Sequence, residues 1–254
     1  MTIEPKYLMN WYYSKHLTIV LLCLIVTFNL EAQVALSTFI DIGENNVSEG
    51  IYVKSSVLGA YQFGETKITA GSQFNLKSNS TNALAGISIN VAQEFTIKEF
   101  QFEVAGLFLC NPFSEVMHES NWGVLVNVKR THFMYKLGTS FRTYRITKKA
   151  SENYDIESNK SLHENWNLMY LVGCNLKPMD SNWNLGVTLT NIDHFLINQE
   201  TNPMVYLRGT YDVKSSLRLY METWCKSAGS LNISANNFGF FFRTGVKWNL
   251  DLKK

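Results

Sequence analysis

Apolar and polar side chains alternate with a period of two residues along most of the chain. In one segment Ile68, Phe74 and Leu76 occupy one set of alternate positions, and Lys67 and Gln73 occupy the other. Successive side chains of a β-strand point to opposite faces, whereas an α-helix repeats every ~3.6 residues. The pattern therefore predicts strands with one apolar and one polar face. No convincing amphipathic helix interrupts them.

The longest alternating segment is close to the C-terminus. Its apolar face is formed by Phe238, Phe240, Phe242, Thr244, Val246, Trp248, Leu250 and Leu252. The intervening positions carry glycines and basic side chains, including Arg243 and Lys247. One face of this strand is thus suited to lipid or a core, and the other to a polar interior.

About twelve such segments divide the chain, most with the roughly ten-residue length of a tilted membrane strand. They begin near Val34, Ile51, Thr66, Ala83, Lys98, Asn121, His132, Asn165, Asn182, Pro203, Ser216 and Asn237. Short connections follow every second segment, around Gly64–Glu65, Thr96–Ile97, Lys129–Thr131, Pro178–Ser181 and Val213–Ser215. Long connections are predicted over Glu44–Gly50, Asn111–Ser120, Ile146–Glu164, Ile192–Asn202 and Lys226–Asn236. An even strand count with this alternation is typical of outer-membrane β-barrels, whose short turns face the periplasm.

Aromatic side chains of the apolar face form two groups, as expected for girdles at the two membrane interfaces. The group near the short turns is Phe63, Phe95, Phe100, Phe133, Trp183, Tyr211 and Trp248, and the group near the long loops is Trp122, Phe141, Trp166 and Phe238. The alternative is a soluble β-sandwich or barrel, whose opposite face would be rich in charge. The opposite face here is instead rich in Gly, Ser, Thr and Asn, which favours a confined lumen.

In these features residues 33–254 resemble the outer-membrane β-barrel proteins of Gram-negative bacteria. The terminal strand, from Phe238 to Leu252, looks like the assembly signal of such barrels, although the chain ends on Lys253 and Lys254 rather than an aromatic residue. The resemblance implies a single antiparallel barrel in the cell outer membrane, with outer-membrane lipid as its partner. It identifies no specific family with a known substrate.

The first 32 residues are predicted to be a cleavable signal peptide. Basic residues precede an apolar run from Leu17 to Phe28, which is too short to cross about 30 Å of hydrocarbon as a helix. Cleavage after Ala32 would leave Gln33 as the first residue. Export is therefore favoured over anchoring.

Composition and charge exclude some functions. The chain is 46% hydrophobic and 17% charged with a net charge of +2, and it lacks the concentrated Lys/Arg stripe of a nucleic-acid binder. The mature cysteines, Cys110, Cys174 and Cys225, are too widely spaced for a disulfide framework or a zinc site. His132, His163 and His194 fall in predicted turns or loops without metal-ligand spacing. We expect no metal and no cofactor.

The polar face supplies the candidate luminal residues, in which basic groups outnumber acidic ones. They are Lys54, Lys136, Arg142, Arg208, Arg218 and Arg243 with Glu103 and Glu222. One hypothesis is a narrow channel, or a solute- or surface-binding barrel, whose arginines attract small anionic solutes, because guanidinium groups bind carboxylates and phosphates. The other is an ion-pair network that closes a structural or secretion-associated barrel.

Arg243 is the luminal residue of most interest. It lies near the middle of the terminal strand, and Gly239 and Gly245 on the same face are expected to leave space around it. It should either select anions or pair with a carboxylate such as Glu103 or Glu222. Protein partners are not indicated by the sequence.

A short motif suggests an enzymatic alternative. The run from His118 to Asn121 is similar to the His-x-Ser-Asn element of outer-membrane phospholipase A and lipid A deacylases. The resemblance implies a lipid-active hydrolase in which His118 is the base and Ser120 the nucleophile. Their spacing places both on one strand face. The residue that would orient the histidine is not found at the matching position, which is His132.

Overall fold

A computed structural model of the chain describes residues 33–45, 48–76, 83–112, 117–154, 161–176, 181–197, 204–226 and 240–251. The predicted signal peptide, residues 1–32, lies outside these ranges. So do Phe238 and Gly239 of the terminal segment.

Within these ranges the chain forms twelve β-strands and one short α-helix. The strands are β1 (Gln33–Asn45), β2 (Ser48–Phe63), β3 (Thr66–Asn75), β4 (Leu84–Ile97), β5 (Phe100–Pro112), β6 (Met117–Arg130), β7 (Phe133–Ile146), β8 (Ser161–Leu176), β9 (Trp183–Thr190), β10 (Met204–Lys214), β11 (Leu217–Lys226) and β12 (Phe240–Asp251). Helix α1 (Lys148–Tyr154) lies between β7 and β8. No helix in the described ranges is long and apolar enough to cross a membrane.

The sheet closes on itself. Each strand pairs antiparallel with its neighbours in chain order, and β1 pairs with β12, so that Leu36 lies opposite Trp248 and Asp41 opposite Arg243. Closure gives every strand two hydrogen-bonded neighbours and removes the sheet edges that lipid could not satisfy. The predicted fold, a single antiparallel barrel of about twelve strands, is confirmed.

The outward face of the barrel is apolar and exposed, and the inward face is buried. Outward Trp122, Val124 and Leu137 are 61%, 58% and 64% exposed, whereas inward Leu125 is 3% exposed. A water-soluble barrel would show the opposite distribution along its strands, because its large apolar side chains would fill the interior. The exposed band is suited to contact with hydrocarbon.

Aromatic side chains mark both ends of this band. At one end of the barrel, outward Trp183 packs on Tyr211 with ring centroids 4.8 Å apart. At the other end, Phe141 packs on Trp166 at 5.1 Å. The described members of both predicted girdles thus lie on the outward face.

The first of these ends is called the short-turn end, because two-residue turns at 64–65, 98–99, 131–132 and 215–216 lie there. The opposite end is called the loop end. Gly64, Lys98 and Thr131 open their turns in the left-handed region, with φ of 55°, 55° and 47°. Such φ values match the twist of the flanking strands in tight hairpins.

Two connections predicted to be long are shorter than expected. β1 and β2 remain paired until Asn45 faces Ser48, so the prediction of a loop over 44–50 is wrong. β5 and β6 remain paired until Pro112 faces His118, which shortens the loop predicted over 111–120. The polar composition that suggested loops belongs here to strands that continue beyond the apolar band.

Cys110, Cys174 and Cys225 are free thiols at outward positions of β5, β8 and β11. They therefore accompany the lipid-directed side chains rather than the luminal ones.

The outward face predicts a depth-dependent cost for charge. Leu137 lies on β7 midway between the girdle residues Phe133 and Phe141, and Leu176 lies at the short-turn end of β8; both leucines are exposed on the outward face. Leu137→Arg is expected to lower the free energy of unfolding by about 2–4 kcal/mol, and Leu176→Arg by only about 0–1 kcal/mol. Denaturant unfolding from lipid vesicles measures both. Equal costs for the two variants would contradict the assignment of this face to lipid.

Candidate functional site

The eight candidate luminal residues lie on the inward face of the barrel. They are Lys54, Glu103, Lys136, Arg142, Arg208, Arg218, Glu222 and Arg243. The structure separates them into two groups by their partners. The four arginines have carboxylate partners, whereas the described residues place no carboxylate within 4.0 Å of either lysine.

Arg243 is the centre of a buried ion cluster. Its guanidinium donates to Asp41 at 2.6 and 3.2 Å, to Asp193 at 2.8 and 2.9 Å, and to Glu222 at 3.1 Å. The Arg243 side chain is 1% exposed. Gln73 donates to the same Asp41 carboxylate at 3.0 Å. One cation is thus shared by three carboxylates, two of them from neighbouring strands and the third from outside the sheet.

The expectation of open space around Arg243 is wrong, whereas the expected pairing with a carboxylate is found. Its surroundings are filled rather than open: the guanidinium carbon lies 4.3 Å from the ring centroid of Phe39 and 4.7 Å from that of Phe241. A side chain at Gly245 would meet the Thr38 carbonyl at 2.6 Å, so this glycine accommodates neighbours instead of leaving space. Of the two carboxylates expected as partners, Glu222 pairs with Arg243 and Glu103 does not.

The third partner of Arg243 comes from a segment folded into the lumen. Residues 191–197, here called the inward segment, follow β9 where the sequence predicted a long surface loop; that prediction is wrong for these residues. Phe195 and Ile197 are 3% and 1% exposed and pack in the barrel core. Apolar burial therefore draws the segment inward, and Asp193 meets Arg243 there.

Side-chain hydrogen bonds join the inward segment to the barrel wall. At its start, Asn191 donates to the Leu168 carbonyl at 2.6 Å and accepts from the Tyr170 amide at 2.8 Å. Further along, Asn111 donates to the carbonyl of Phe195 at 2.9 Å. These bonds satisfy backbone groups that would otherwise be buried without partners.

Arg142 organises a second buried polar group near the loop end. It contacts Glu119 at 2.6 Å and donates to Asn121 at 2.8 Å, and it also donates to the Ile197 carbonyl. A second carboxylate near it, that of Glu164, lies 3.6 Å from Arg142. Arg142 therefore fixes the end of the inward segment as Arg243 fixes its middle.

The charge of Asp193 is stabilised by its partner. Burial alone would raise the pKa of this carboxyl, but the charge and hydrogen bonds of Arg243 outweigh it and hold the pKa well below its usual range. The contribution of this pair is therefore present above the ordinary aspartate pKa and is lost only as the pH falls through the lowered value. The link between segment and wall persists in mild acid.

The neighbouring His194 faces a luminal cavity rather than bulk solvent. Burial lowers the pKa of His194, although the charge of Asp193 acts in the opposite direction. Its ring centroid lies 5.8 Å from that of Phe39. A lowered pKa keeps this side chain neutral at neutral pH, so the charge of the cavity comes from other residues.

The cavity lies on the short-turn side of the inward segment and has a volume of about 320 Å³. Its charged lining residues are Lys67, Glu103, Lys136, Asp193 and Arg208. Among the described residues, Lys67 and Lys136 have no carboxylate within salt-bridge distance. The two ammonium groups are thus available to a solute.

Arg208 and Arg218 have local partners. Arg208 donates through Nε to Glu222, the carboxylate that Arg243 also contacts. Arg218 donates to Asp212 through Nε and Nη2 near the short-turn end. Arg208 is still 49% exposed, toward the cavity.

The geometry gives no support to His118 and Ser120 as a catalytic pair. Both lie on the outward face of β6 near the loop end, as their spacing requires. In the described part of the chain no hydrogen bond joins them, while Asn121 points inward and donates to Glu119 at 2.7 Å. His132 lies in a turn at the opposite end of the barrel. No cluster of three or more His, Cys, Asp or Glu side chains suited to a metal occurs among the described residues.

Sequence reasoning missed Asp193 and His194 as site residues. A usable signal was present, because Phe195, Leu196 and Ile197 form a consecutive apolar run inside a predicted surface loop. Such a run is costly in solvent and predicts burial.

Comparison with known proteins relates the chain to others by fold. No family model and no curated protein matches it. Among solved structures, it is similar to the KdgM porin (TM-score 0.51, 10% identity, 84% of this chain and 99% of the porin) and to the NanC porin (0.50, 10%, 84% and 100%). The chain is also similar to outer membrane phospholipase A from Escherichia coli, with a TM-score of 0.45 and 10% identity over 88% of this chain and 93% of the phospholipase. This similarity carries no argument about the role of His118. The resemblance to outer-membrane β-barrels is confirmed as a likeness of fold.

The ion cluster predicts a larger loss of stability when its cation is removed than when one of its carboxylates is neutralised. Arg243→Ala leaves buried carboxylates without their shared cation and is expected to lower the free energy of unfolding by about 3–5 kcal/mol. Asp193→Asn is expected to cost less, because Arg243 keeps Asp41 and Glu222. Denaturant unfolding and heat modifiability on gels measure both variants. An Arg243→Ala protein as stable as the wild type would contradict the central role of this cluster.

Proposed function

We propose that the chain is an outer-membrane channel for small anionic solutes, inserted after cleavage of a signal peptide over residues 1–32. The observation that carries the proposal is the pair of lysines without carboxylate partners, Lys67 and Lys136, in the luminal cavity. Ammonium groups in a confined lumen attract anions more strongly than they would in open solvent.

The outward face supports a membrane location on physical grounds. Large apolar side chains such as Trp122, Leu137 and Trp183 are more than half exposed there. Their aromatic members lie toward the two ends of the band, where interfacial lipid headgroups would meet them. A chain with this surface is expected to aggregate in water and to be stable in a bilayer or detergent.

The division of the lumen supports selectivity for anions. On the loop side, Arg142 and Arg243 are neutralised by buried carboxylates. On the short-turn side, Lys67 and Lys136 have no carboxylate within salt-bridge distance among the described residues, although Glu103 lines the same cavity. The ammonium groups without ion-pair partners therefore lie in the part of the lumen that is roomy enough for a solute.

The inward segment supplies a constriction. It occupies the lumen beside the cavity, and Arg243 and Arg142 hold it to the barrel wall. A solute crossing the barrel would have to pass this segment, so the segment limits the size of what passes. The same segment would close a non-conducting barrel if no path remained beside it.

The closed structural barrel is therefore the second candidate. It is favoured by the buried networks around Arg243 and Arg142, which fill the loop side of the lumen. Conductance separates the two candidates directly.

Purified protein in planar bilayers is expected to conduct and to favour chloride over potassium in a salt gradient. Lys67→Gln and Lys136→Gln should each move the chloride-to-potassium permeability ratio toward one, because each removes a luminal positive charge. Lys148→Gln, on the exposed helix α1, is the matched control and should leave the ratio unchanged. The reversal potential measures this ratio.

Absence of conductance by folded, heat-modifiable protein would contradict the channel and favour the closed barrel. An unchanged permeability ratio in the Lys67→Gln/Lys136→Gln double variant would contradict the role given to the lysines.

The topology can be tested on cells. An epitope tag within residues 155–160 is expected to bind antibody on intact cells, and a tag between Gly64 and Glu65 only after permeabilisation, because short turns of outer-membrane barrels face the periplasm. Flow cytometry measures both. Reversed accessibility would contradict the orientation while leaving the barrel fold untouched.

A further inference from the structure

We propose that the luminal cavity is a binding site for a compact dianion, a molecule that carries two carboxylates or a phosphate group. Lys67, Lys136 and Arg208 are the binding residues. The proposal rests on the channel function proposed above and adds the class of solute and the residues that hold it.

The three cations approach the cavity from different sides of the barrel. Lys67 is on β3, Lys136 on β7 and Arg208 on β10, and all three line the same cavity. In a closed sheet of twelve strands these positions are separated around the circumference, so the inward side chains converge toward the axis. Such an arrangement surrounds a ligand rather than contacting it from one side.

Two ammonium groups without ion-pair partners favour a ligand with more than one negative charge. Among the described residues neither Lys67 nor Lys136 has a carboxylate within salt-bridge distance, although Glu103 lines the same cavity. Asp193 also lines the cavity, and its two carboxylate oxygens accept hydrogen bonds from Arg243, which Asp41 and Glu222 share. A dianion can compensate two cations at once, whereas a monoanion leaves one uncompensated.

Arg208 has donors available for this role. Only its Nε is engaged, by Glu222, in the described part of the chain. The two terminal nitrogens therefore remain for a ligand, and a guanidinium matches the paired oxygens of a carboxylate or phosphate.

The neutral lining fits a small organic anion. Hydroxyl and amide side chains in the lining can donate hydrogen bonds to the oxygens of a ligand. An apolar patch in the same lining can contact a short carbon chain. The polar members are Thr69, Ser88, Asn90 and Thr188, and the apolar members include Leu107 and Leu125. A volume of about 320 Å³ admits a molecule of a few carbon atoms with its water and excludes large polymers.

Binding can be measured independently of conduction. Isothermal titration of the full chain in detergent should show saturable binding of succinate and of inorganic phosphate. Propionate at matched ionic strength should bind at least about tenfold more weakly, because it can engage only one of the cations. Comparing succinate with phosphate distinguishes a dicarboxylate from a phosphate preference.

Variants identify the site. Lys67→Gln and Lys136→Gln should each weaken succinate binding by about tenfold, and Lys148→Gln should not. Circular dichroism and heat modifiability verify that each variant folds. Equal affinity for propionate and succinate, no saturable binding, or succinate binding that is unchanged in both lysine variants would overturn the proposal.

The outcomes separate this inference from the channel function. Lysine-dependent dianion binding by a protein that does not conduct would retain the site and reject the channel. An anion-selective conductance without saturable dianion binding would retain the channel and reject the site.

Discussion

Closure of the sheet between β1 and β12 is the constraint on which the rest of the structure depends. In hydrocarbon each unpaired backbone amide or carbonyl costs several kcal/mol. A sheet can therefore span lipid only if it has no edges. Closure also fixes the face of every side chain, because each strand alternates between lipid and lumen. The apolar exterior and the polar interior are therefore two consequences of one hydrogen-bonding pattern.

The seam that closes the barrel also carries the buried ion cluster. Asp41 on β1 is the register partner of Arg243 on β12, and Glu222 lies beside Arg243 on β11. The aromatic rings of Phe39 and Phe241 cover the guanidinium on its two sides. The cation is thus surrounded by three carboxylates and two rings, which join the first and last strands of the barrel.

The strands were predictable from sequence because burial in a closed barrel acts on every second residue. Parity assigns a face to a residue such as Arg243, but it does not say which residues meet across the lumen. Asp41 and Arg243 are 202 positions apart in sequence and become neighbours only through closure. Glu103 shares the inward parity but lies on β5, across from Asn127 on β6, and away from the seam.

The wrong predictions for the connecting segments have a local cause in the sequence. Polar composition predicts loops, yet strands continue beyond the membrane band, as the pairing of Asn45 with Ser48 shows. The inward segment was missed for the opposite reason, since Asn191 and Asp193 resemble turn residues while Phe195 and Ile197 carry the burial. Short segments of mixed composition give no periodicity, so their position depends on partners that sequence spacing does not reveal.

The attachment of the inward segment has a consequence for the order of assembly. Asp193 is held by a cation on the last strand, and that cation is itself held by an aspartate on the first strand. The segment therefore has no complete docking site until the two ends of the chain have met. During insertion the interior of the nascent barrel should stay wet and unobstructed, and its filling should come last, as a step that reports completion of the ring.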